Sequence, residues 1–332
     1  MTAKTAANFE HPYDLLTPDV VIECVESLGA LSDGRILALN SYENRVYQVG
    51  IEDGQPLIAK FYRPGRWSDA AILEEHAFAL ELAREEIPIV PPIMQGDRTL
   101  FEQNGFRFAV FERRGGRWPE LGDAHDREWM GRFLGRIHMV GRRARFQHRE
   151  RIEVERMGEA ARDFLLDEGW LPDHLEAAYE SLTSDLIERA HTAFEIAGAF
   201  RIRLHGDCHR GNVLWTEDGP HFVDLDDCAT GPAIQDLWML LAGSRAEMAE
   251  QMTQLLEGYS QFSTFDTGEL VLIEALRTLR MIHYAAWLAR RWEDPAFPRA
   301  FPWFEEPRYW EEHVLQLREQ LAAVDEGPLM LG

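Results

Sequence analysis

The sequence predicts an α+β chain of two lobes: a small, β-rich N-terminal lobe with one main helix, and a larger, mainly helical C-terminal lobe. Three observations predict it. Short runs rich in Val, Ile, Phe and Tyr crowd the first third of the chain. Apolar residues at helical spacing dominate the remainder. Gly115-Gly116 interrupts both patterns where they meet. With 332 residues and 45% hydrophobic content, the chain can bury a large core and is long enough for two lobes.

Taken in order, residues 45–49 and 57–62 read as strands joined by the turn Glu52-Asp53-Gly54. Residues 68–86 read as a helix. Ser68 is its N-cap, and Ile72, Leu73, Ala79, Leu80 and Leu82 form an apolar stripe. Pro88, Pro91 and Pro92 end it. Residues 106–111 read as a further strand and 110–113 as a hinge, giving lobes of residues 1–113 and 114–332. Helical spacing then runs through 126–145, 175–194, 246–262, 269–292 and 308–324, interrupted only by a short β segment within 202–225. There is no internal repeat.

Charge and composition exclude several classes. A net charge of -23 argues against a surface that binds nucleic acid. Any phosphate site must gather positive charge locally. Three cysteines, Cys24, Cys208 and Cys228, are too few and too odd for a disulfide framework and suit a reducing compartment. Residues 1–12 are polar, and no apolar run reaches the ~18 residues of a membrane span. A cytoplasmic monomer without a membrane or nucleic-acid partner is expected.

The strongest local signal is His205-Gly206-Asp207-Cys208-His209-Arg210-Gly211-Asn212, followed by Phe222-Val223-Asp224-Leu225-Asp226. Gly206 and Gly211 permit backbone turns that other residues resist. A hairpin of 213–215 against 221–223, turning at Glu217-Asp218-Gly219, would return Asp224 beside Asn212. Two carboxylates and an amide oxygen then converge, hard ligands suited to Mg²⁺. In phosphoryl transfer an Asp accepts the hydroxyl proton while an Asn and a second Asp hold the metal. Asp207 is therefore the candidate base, Asn212 and Asp224 the candidate metal ligands, with Asp224 also in the catalytic set and Asp226 an auxiliary.

A second signal is Lys60 inside the apolar run Ile58-Ala59-Lys60-Phe61-Tyr62. A buried ammonium needs an anion. Glu75 on the following helix is the natural partner, Glu74 its rival, and ATP phosphates would complete the site. A third is 39–47, Leu-Asn-Ser-Tyr-Glu-Asn-Arg-Val-Tyr, placed before the lysine strand where a phosphate-covering loop would lie. It has no G-x-G-x-x-G, but Ser41 and Asn44 offer donors to a phosphate. An ordinary polar turn would look the same.

In this order the three segments resemble the aminoglycoside phosphotransferase and choline kinase-like superfamily. The marks are H-G-D-x-H-x-x-N at 205–212 and the hydrophobic-Asp segment at 222–227. The stretches LNSYENRVYQ, KFYRPGRW, ILEEHAFAL, GPAIQDLWMLL and DPAFPRAFPW narrow the resemblance to bacterial stress-response Ser/Thr protein kinases and spread it over most of the chain. The resemblance implies a protein kinase-like fold, ATP and Mg²⁺ as cofactors, a base at Asp207, metal ligands at Asn212 and Asp224, and an ATP contact at Ser41. It also implies protein acceptors, with autophosphorylation; a small alcohol such as homoserine, methylthioribose, choline or an aminoglycoside is the other acceptor class within the fold. Compared with eukaryotic-type kinases, the chain has His-Gly-Asp for His-Arg-Asp and Asp-Leu-Asp for Asp-Phe-Gly. Asp224 stands close to Gly231-Pro232, which leaves little room for a long activation loop.

Other readings use the same residues. His205, Asp207 and His209 alternate, and with Asp224 they would make a hydrolase metal centre. A non-catalytic nucleotide-binding protein is the third class. Cys208 and Cys228 flank the candidate site as a conceivable redox pair, though buried packing is the simpler role. The arginines at 132, 136, 142, 143, 145, 149 and 151 read as a solvated helix face and its end. Trp287, Trp292, Trp303 and Trp310 read first as core and loop anchors and second as a substrate wall. Asp236 reads as a brace for the loop at 205–212.

Overall fold

A computed structural model describes residues 11 and 13–331. Apart from His11, the polar N-terminal stretch lies outside the described residues. Helix α1 (Pro18–Glu26) opens the chain, capped by the Thr17 hydroxyl with Pro at its first turn. Sequence spacing did not single it out, because nine residues show only two turns of an apolar stripe. Val21, Cys24 and Val25 bury against the sheet that follows. That sheet has five antiparallel strands, β1 (Ser32–Ala38), β2 (Arg45–Ile51), β3 (Leu57–Phe61), β4 (Phe101–Gln103) and β5 (Phe106–Glu112), in the order β1-β2-β3-β5-β4. β3 is central, so Lys60 is flanked by Val46 on one side and Ala109 on the other. Residues 110–112, expected within the hinge, complete β5 and pair with β3.

Helix α2 (Asp69–Arg84) begins at Ser68, whose hydroxyl accepts the N–H of Ala71. Its two ends serve different cores. Ile72 packs with Tyr62 and Ala109, whereas Phe78, Ala79 and Leu82 join the large core of the helical part. The apolar side of α2 thus connects the two parts of the molecule.

The helical part contains α3 (Ala124–Gly141), α4 (Ala160–Asp167, entered through a π-turn at Glu155–Glu159), α5 (Asp173–Ala197), α6 (Gln235–Trp238), α7 (Arg245–Tyr259), α8 (Leu272–Arg290), α9 (Ala296–Ala300) and α10 (Pro307–Asp325). The β segment expected within 202–225 divides into two pairings. β6 (Ile202–Leu204) pairs with β9 (Ala229–Gly231), and β7 (Val213–Thr216) pairs with β8 (Gly219–Phe222). The hairpin turn is Glu217-Asp218, and Val223 follows the strand instead of belonging to it. α3 and α7 cross in backbone contact: a Cβ on Gly131 would lie 1.9 Å from the Leu255 carbonyl oxygen. No helix among the described residues is long and apolar enough to cross a membrane.

Candidate active site

Lys60 projects from the central strand into a nest of acids. Its Nζ lies 3.3 Å from Glu75 Oε1, 3.2 Å from Asp224 Oδ1 and 3.0 Å from Asp226 Oδ1. Lys60, Glu75 and Asp226 are all buried. Burial opposes the ammonium, but the charges of Asp226, Glu75 and Asp224 outweigh it and hold the pKa well above its ordinary value. The choice left open between two glutamates is resolved by geometry. Glu74 points the other way and accepts the backbone N–H groups of Gln147, His148 and Arg149 at 2.7, 2.7 and 3.0 Å. Arg149, expected on a solvated face, is instead buried. Its guanidinium stacks 3.9 Å from the Trp67 ring, donates to the carbonyls of Cys228 and Asp226, and lies 3.7 Å from Glu75. It adds a second positive charge behind Glu75.

The loop after β6 is held from beneath by one carboxylate. Fully buried Asp236 accepts the N–H of His205 at 2.9 Å and of Gly206 at 2.8 Å, and Nε2–H of His138 at 3.1 Å. His138 is set in turn by Tyr259, whose hydroxyl lies 3.0 Å from Nδ1. The crossing of α3 and α7 therefore fixes the loop through Asp236, the brace expected there. Gly206 has φ +87°, and a Cβ there would come within 2.1 Å of the Asp227 carbonyl oxygen. Only glycine satisfies both conditions.

On that base, Asp207, Asn212 and Asp224 come together. Asn212 Nδ2 donates to the Asp207 carbonyl at 2.9 Å, which leaves Oδ1 as the amide atom free to meet a cation. The Val223 N–H donates to the Asn212 carbonyl at 3.0 Å, so Asp224 is one residue past a direct contact with Asn212. Asp224 itself has φ +60°, a left-handed conformation unusual outside glycine, and its side chain is 54% exposed. The backbone thus turns its carboxylate outward, where Lys60 is its near cation. Asp207 Oδ1 accepts from Arg280 at 2.7 Å, and Oδ2 lies 3.4 Å from His209 Nε2. Burial disfavours its charge, but the His209 contact and the Arg280 charge prevail and hold the carboxyl well below the usual carboxylate range.

The loop expected to cover phosphates joins β1 to β2. The Ser41 hydroxyl donates to the Asn44 carbonyl at 3.1 Å, and Asn44 Oδ1 accepts the Arg63 N–H at 3.1 Å. The same loop is latched across the molecule. Glu43 accepts from Trp287 Nε1 at 2.7 Å and Arg291 Nε at 2.9 Å, both on or just past α8. Arg45 and Arg63 both pair with Asp294. Asp226 and Asp227 pair with Arg66. The latch carries no local signal, since Trp287 and Arg291 lie more than 200 residues from Glu43, and Asp294 more than 200 from Arg45 and Arg63.

The hydrolase arrangement does not form. Buried His205 donates Nε2–H to the Val223 carbonyl at 3.0 Å, and His209 Nδ1 accepts the Gly211 N–H at 2.9 Å. No cluster of three or more His, Cys, Asp or Glu able to hold a metal occurs among the described residues. Cys24, Cys208 and Cys228 are free and buried. Burial pushes the thiols of Cys208 and Cys228 far up, so neither has thiolate character. Trp292, Trp303 and Trp310 pack around Phe304 in tilted and edge-on arrangements as anchors, whereas Trp287 lines a cavity of about 510 Å³ that also contains Asp207.

Lys60 is one of only two lysines in the chain, Lys4 being the other. This makes the expectation that Lys60 meets ATP phosphates directly testable. An acyl-phosphate derivative of ATP acylates lysines beside its phosphates, so peptide mapping is expected to find the adduct on Lys60, suppressed by excess ATP. Labelling that ignores ATP, or that spares Lys60, would move the phosphates elsewhere.

Residues 35–273 match the phosphotransferase enzyme family. Stress response kinase A of Escherichia coli K12 is 45% identical over 324 residues, covering 98% of both chains. The serine/threonine protein kinase RdoA of Salmonella typhimurium is 43% identical over 319 residues, covering 96% of this chain and 97% of its own. Among solved structures, an amicoumacin kinase bound to AMP-PNP, Ca²⁺ and Ami has TM-score 0.69 at 19% identity, covering 93% of this chain and 95% of that one. A microcompartment-associated aminopropanol kinase has TM-score 0.67 at 18% identity, covering 95% and 100%. The structural likenesses establish the kinase-like fold.

Proposed function

The chain belongs to the phosphotransferase enzyme family and is an ATP-dependent kinase, and from that premise we propose that it transfers the γ-phosphoryl group of Mg·ATP to Ser and Thr hydroxyls of proteins, its own included. One observation carries the site assignment. Lys60 faces three carboxylates within 3.3 Å, and because Arg149 and Arg66 also compensate Glu75 and Asp226, the exposed Asp224 is the one that offers hard negative oxygen beside a fixed positive charge. A divalent cation and a polyphosphate complete such a set.

In this reading Lys60, held by Glu75, contacts the phosphates, and Ser41 presents its hydroxyl and backbone to them. Asn212 Oδ1 and the Asp224 carboxylate would hold Mg²⁺, whose contribution is to neutralise charge on the phosphate oxygens. Asp207 accepts a hydrogen bond from the acceptor hydroxyl, orients it and takes its proton. The protein is placed in the cytoplasm, where ATP is abundant. The lobe boundary is placed at Gly115-Gly116. This is supported by Arg117, which exchanges backbone hydrogen bonds of 3.0 and 2.6 Å with Trp215 and so is already joined to the β7 hairpin.

The acceptor assignment rests on the relative named as a serine/threonine protein kinase. Purified protein incubated with Mg²⁺ and γ-labelled ATP tests it, first alone and then with generic proteins and a panel of small alcohols. Label on the protein's own Ser or Thr, stable to denaturation and acid, is expected. An unmodified chain beside rapid phosphorylation of an amino alcohol or sugar would overturn the protein acceptor and leave the nucleotide site intact.

A further inference from the structure

The cavity containing Asp207 has an unusual wall for so acidic a chain. Acids outnumber bases 57 to 34 overall, yet five arginines, Arg66, Arg156, Arg280, Arg290 and Arg291, line this one cavity against four carboxylates. One side of the wall is a face of α8 and its end, carrying Leu276, Arg280, His283, Tyr284, Trp287 and Arg291 at helical spacing. Two of the four carboxylates are already neutralised at the latch, Glu43 by Arg291 and Asp227 by Arg66. Glu150 is paired with Arg156 at 2.6 Å. Arg290 has no carboxylate partner among the described residues: it donates to the Ala160 carbonyl at 3.1 Å and lies over the Phe164 ring.

His283 lies among these arginines. Its Nδ1 is buried without a hydrogen-bond partner among the described residues. Burial first, then the charges of Arg156, Arg290, Arg280 and Arg66, hold its pKa down at about 3. Among the lining arginines, Arg290 thus leaves one positive charge without a carboxylate partner among the described residues. A protonated amine would be repelled there, while a carboxylate would be steered in and paired.

We propose that the acceptor is an acidic polypeptide segment, a Ser or Thr flanked by Asp or Glu, with its hydroxyl at Asp207 and a carboxylate on Arg290. This rests on the protein-kinase reading and specifies its substrate. Arg280 spans both regions, since it binds Asp207 and also lines the cavity. It is a positioning residue that links the acceptor's charge to the orientation of the proposed base.

The test compares two synthetic peptides, each with one Ser, one flanked by Asp and Glu and the other by Lys and Arg. At low salt, kcat/KM should favour the acidic peptide by at least about tenfold, and the preference should fall as salt rises. Arg290→Glu should raise KM for the acidic peptide by about tenfold, equivalent to ~1.4 kcal/mol. Arg290→Gln should have a smaller effect in the same direction. Labelling of Lys60 by the ATP probe at wild-type level certifies that each variant is folded; if Arg290→Glu fails that check, Arg290→Gln decides. Equal use of both peptides, preference for the basic one, or a KM unmoved by either variant would overturn the proposal. Self-phosphorylation with neither peptide used would overturn it and leave the protein-kinase reading standing. Phosphorylation of an amino alcohol with no protein labelled would overturn both.

Discussion

Asp207→Asn is expected to lower phosphoryl transfer by about 10²–10⁴-fold, the range for loss of a positioned general base, with ATP affinity nearly unchanged. The substitution keeps the size of the side chain and removes the charge. The shorter of the two hydrogen bonds from Asn212 Nδ2, 2.9 Å, goes to the Asp207 backbone carbonyl and only the longer, 3.4 Å, to its carboxylate, so the metal side of the loop should survive. The environment also sets a pH expectation. His209 and Arg280 overcome the burial penalty and keep Asp207 ionised below the usual carboxylate range. A base with a depressed pKa is lost only as pH falls through that depressed value. The wild-type pH–rate profile should therefore show no limb from Asp207 above about pH 4, the ordinary aspartate range. So acidic a group is a weak proton acceptor. Its main service is then to orient the hydroxyl, which suits a loose transition state in which positioning and charge stabilisation dominate. Steady-state rates and calorimetric ATP titration of the variant check this; wild-type turnover in Asp207→Asn would remove the base assignment.

The parts of the site that were legible in the sequence share a cause. Asp207, Asn212 and Asp224 lie within 18 residues, on a loop and the far side of a short hairpin, so local geometry alone brings them together. Lys60 was legible because an ammonium in an apolar central strand is an anomaly that demands partners. Glu74 and Glu75 could not be separated that way. Neighbours on a helix point about 100° apart, and which one faces the strand depends on the rotation of α2, set by Ile72 and Phe78 packing into different cores. The latch was invisible because Glu43 meets Trp287 and Arg291, and Arg45 meets Asp294, across the whole chain. Arg149 misled because an arginine in a basic run usually faces water. Here Trp67 and Glu75 supply a stacking surface and a counter-charge inside the molecule. The same ambiguity hid Arg280 and Arg290, whose helical spacing is equally that of a solvated face.

Asp224→Ala is expected to abolish the Mg²⁺ dependence of nucleotide binding and with it activity, because Asp224 is the carboxylate whose geometry leaves it most available to a cation. Its three charged neighbours differ in this respect. Glu75 is buried between Lys60 and Arg149, Asp226 is buried between Lys60 and Arg66, and Asp227 is committed to Arg66. Asp224 has Lys60 on one oxygen and is otherwise 54% exposed, held outward by its left-handed backbone. That conformation costs of order 1 kcal/mol in a non-glycine residue, so the fold maintains it against a local preference. Alanine would keep the strain and lose the ligand; Asp224→Gly would relieve the strain and lose the ligand equally. The pair separates the two effects. Both should lose Mg²⁺-dependent ATP affinity in calorimetry, while the glycine variant should be the more thermally stable of the two. Lys60 retains Glu75 and Asp226 in either variant, so its acylation by the ATP probe measured without Mg²⁺ should persist. Unchanged Mg·ATP affinity in both variants would place the metal on other oxygens, and Asp226 would then be the next to test.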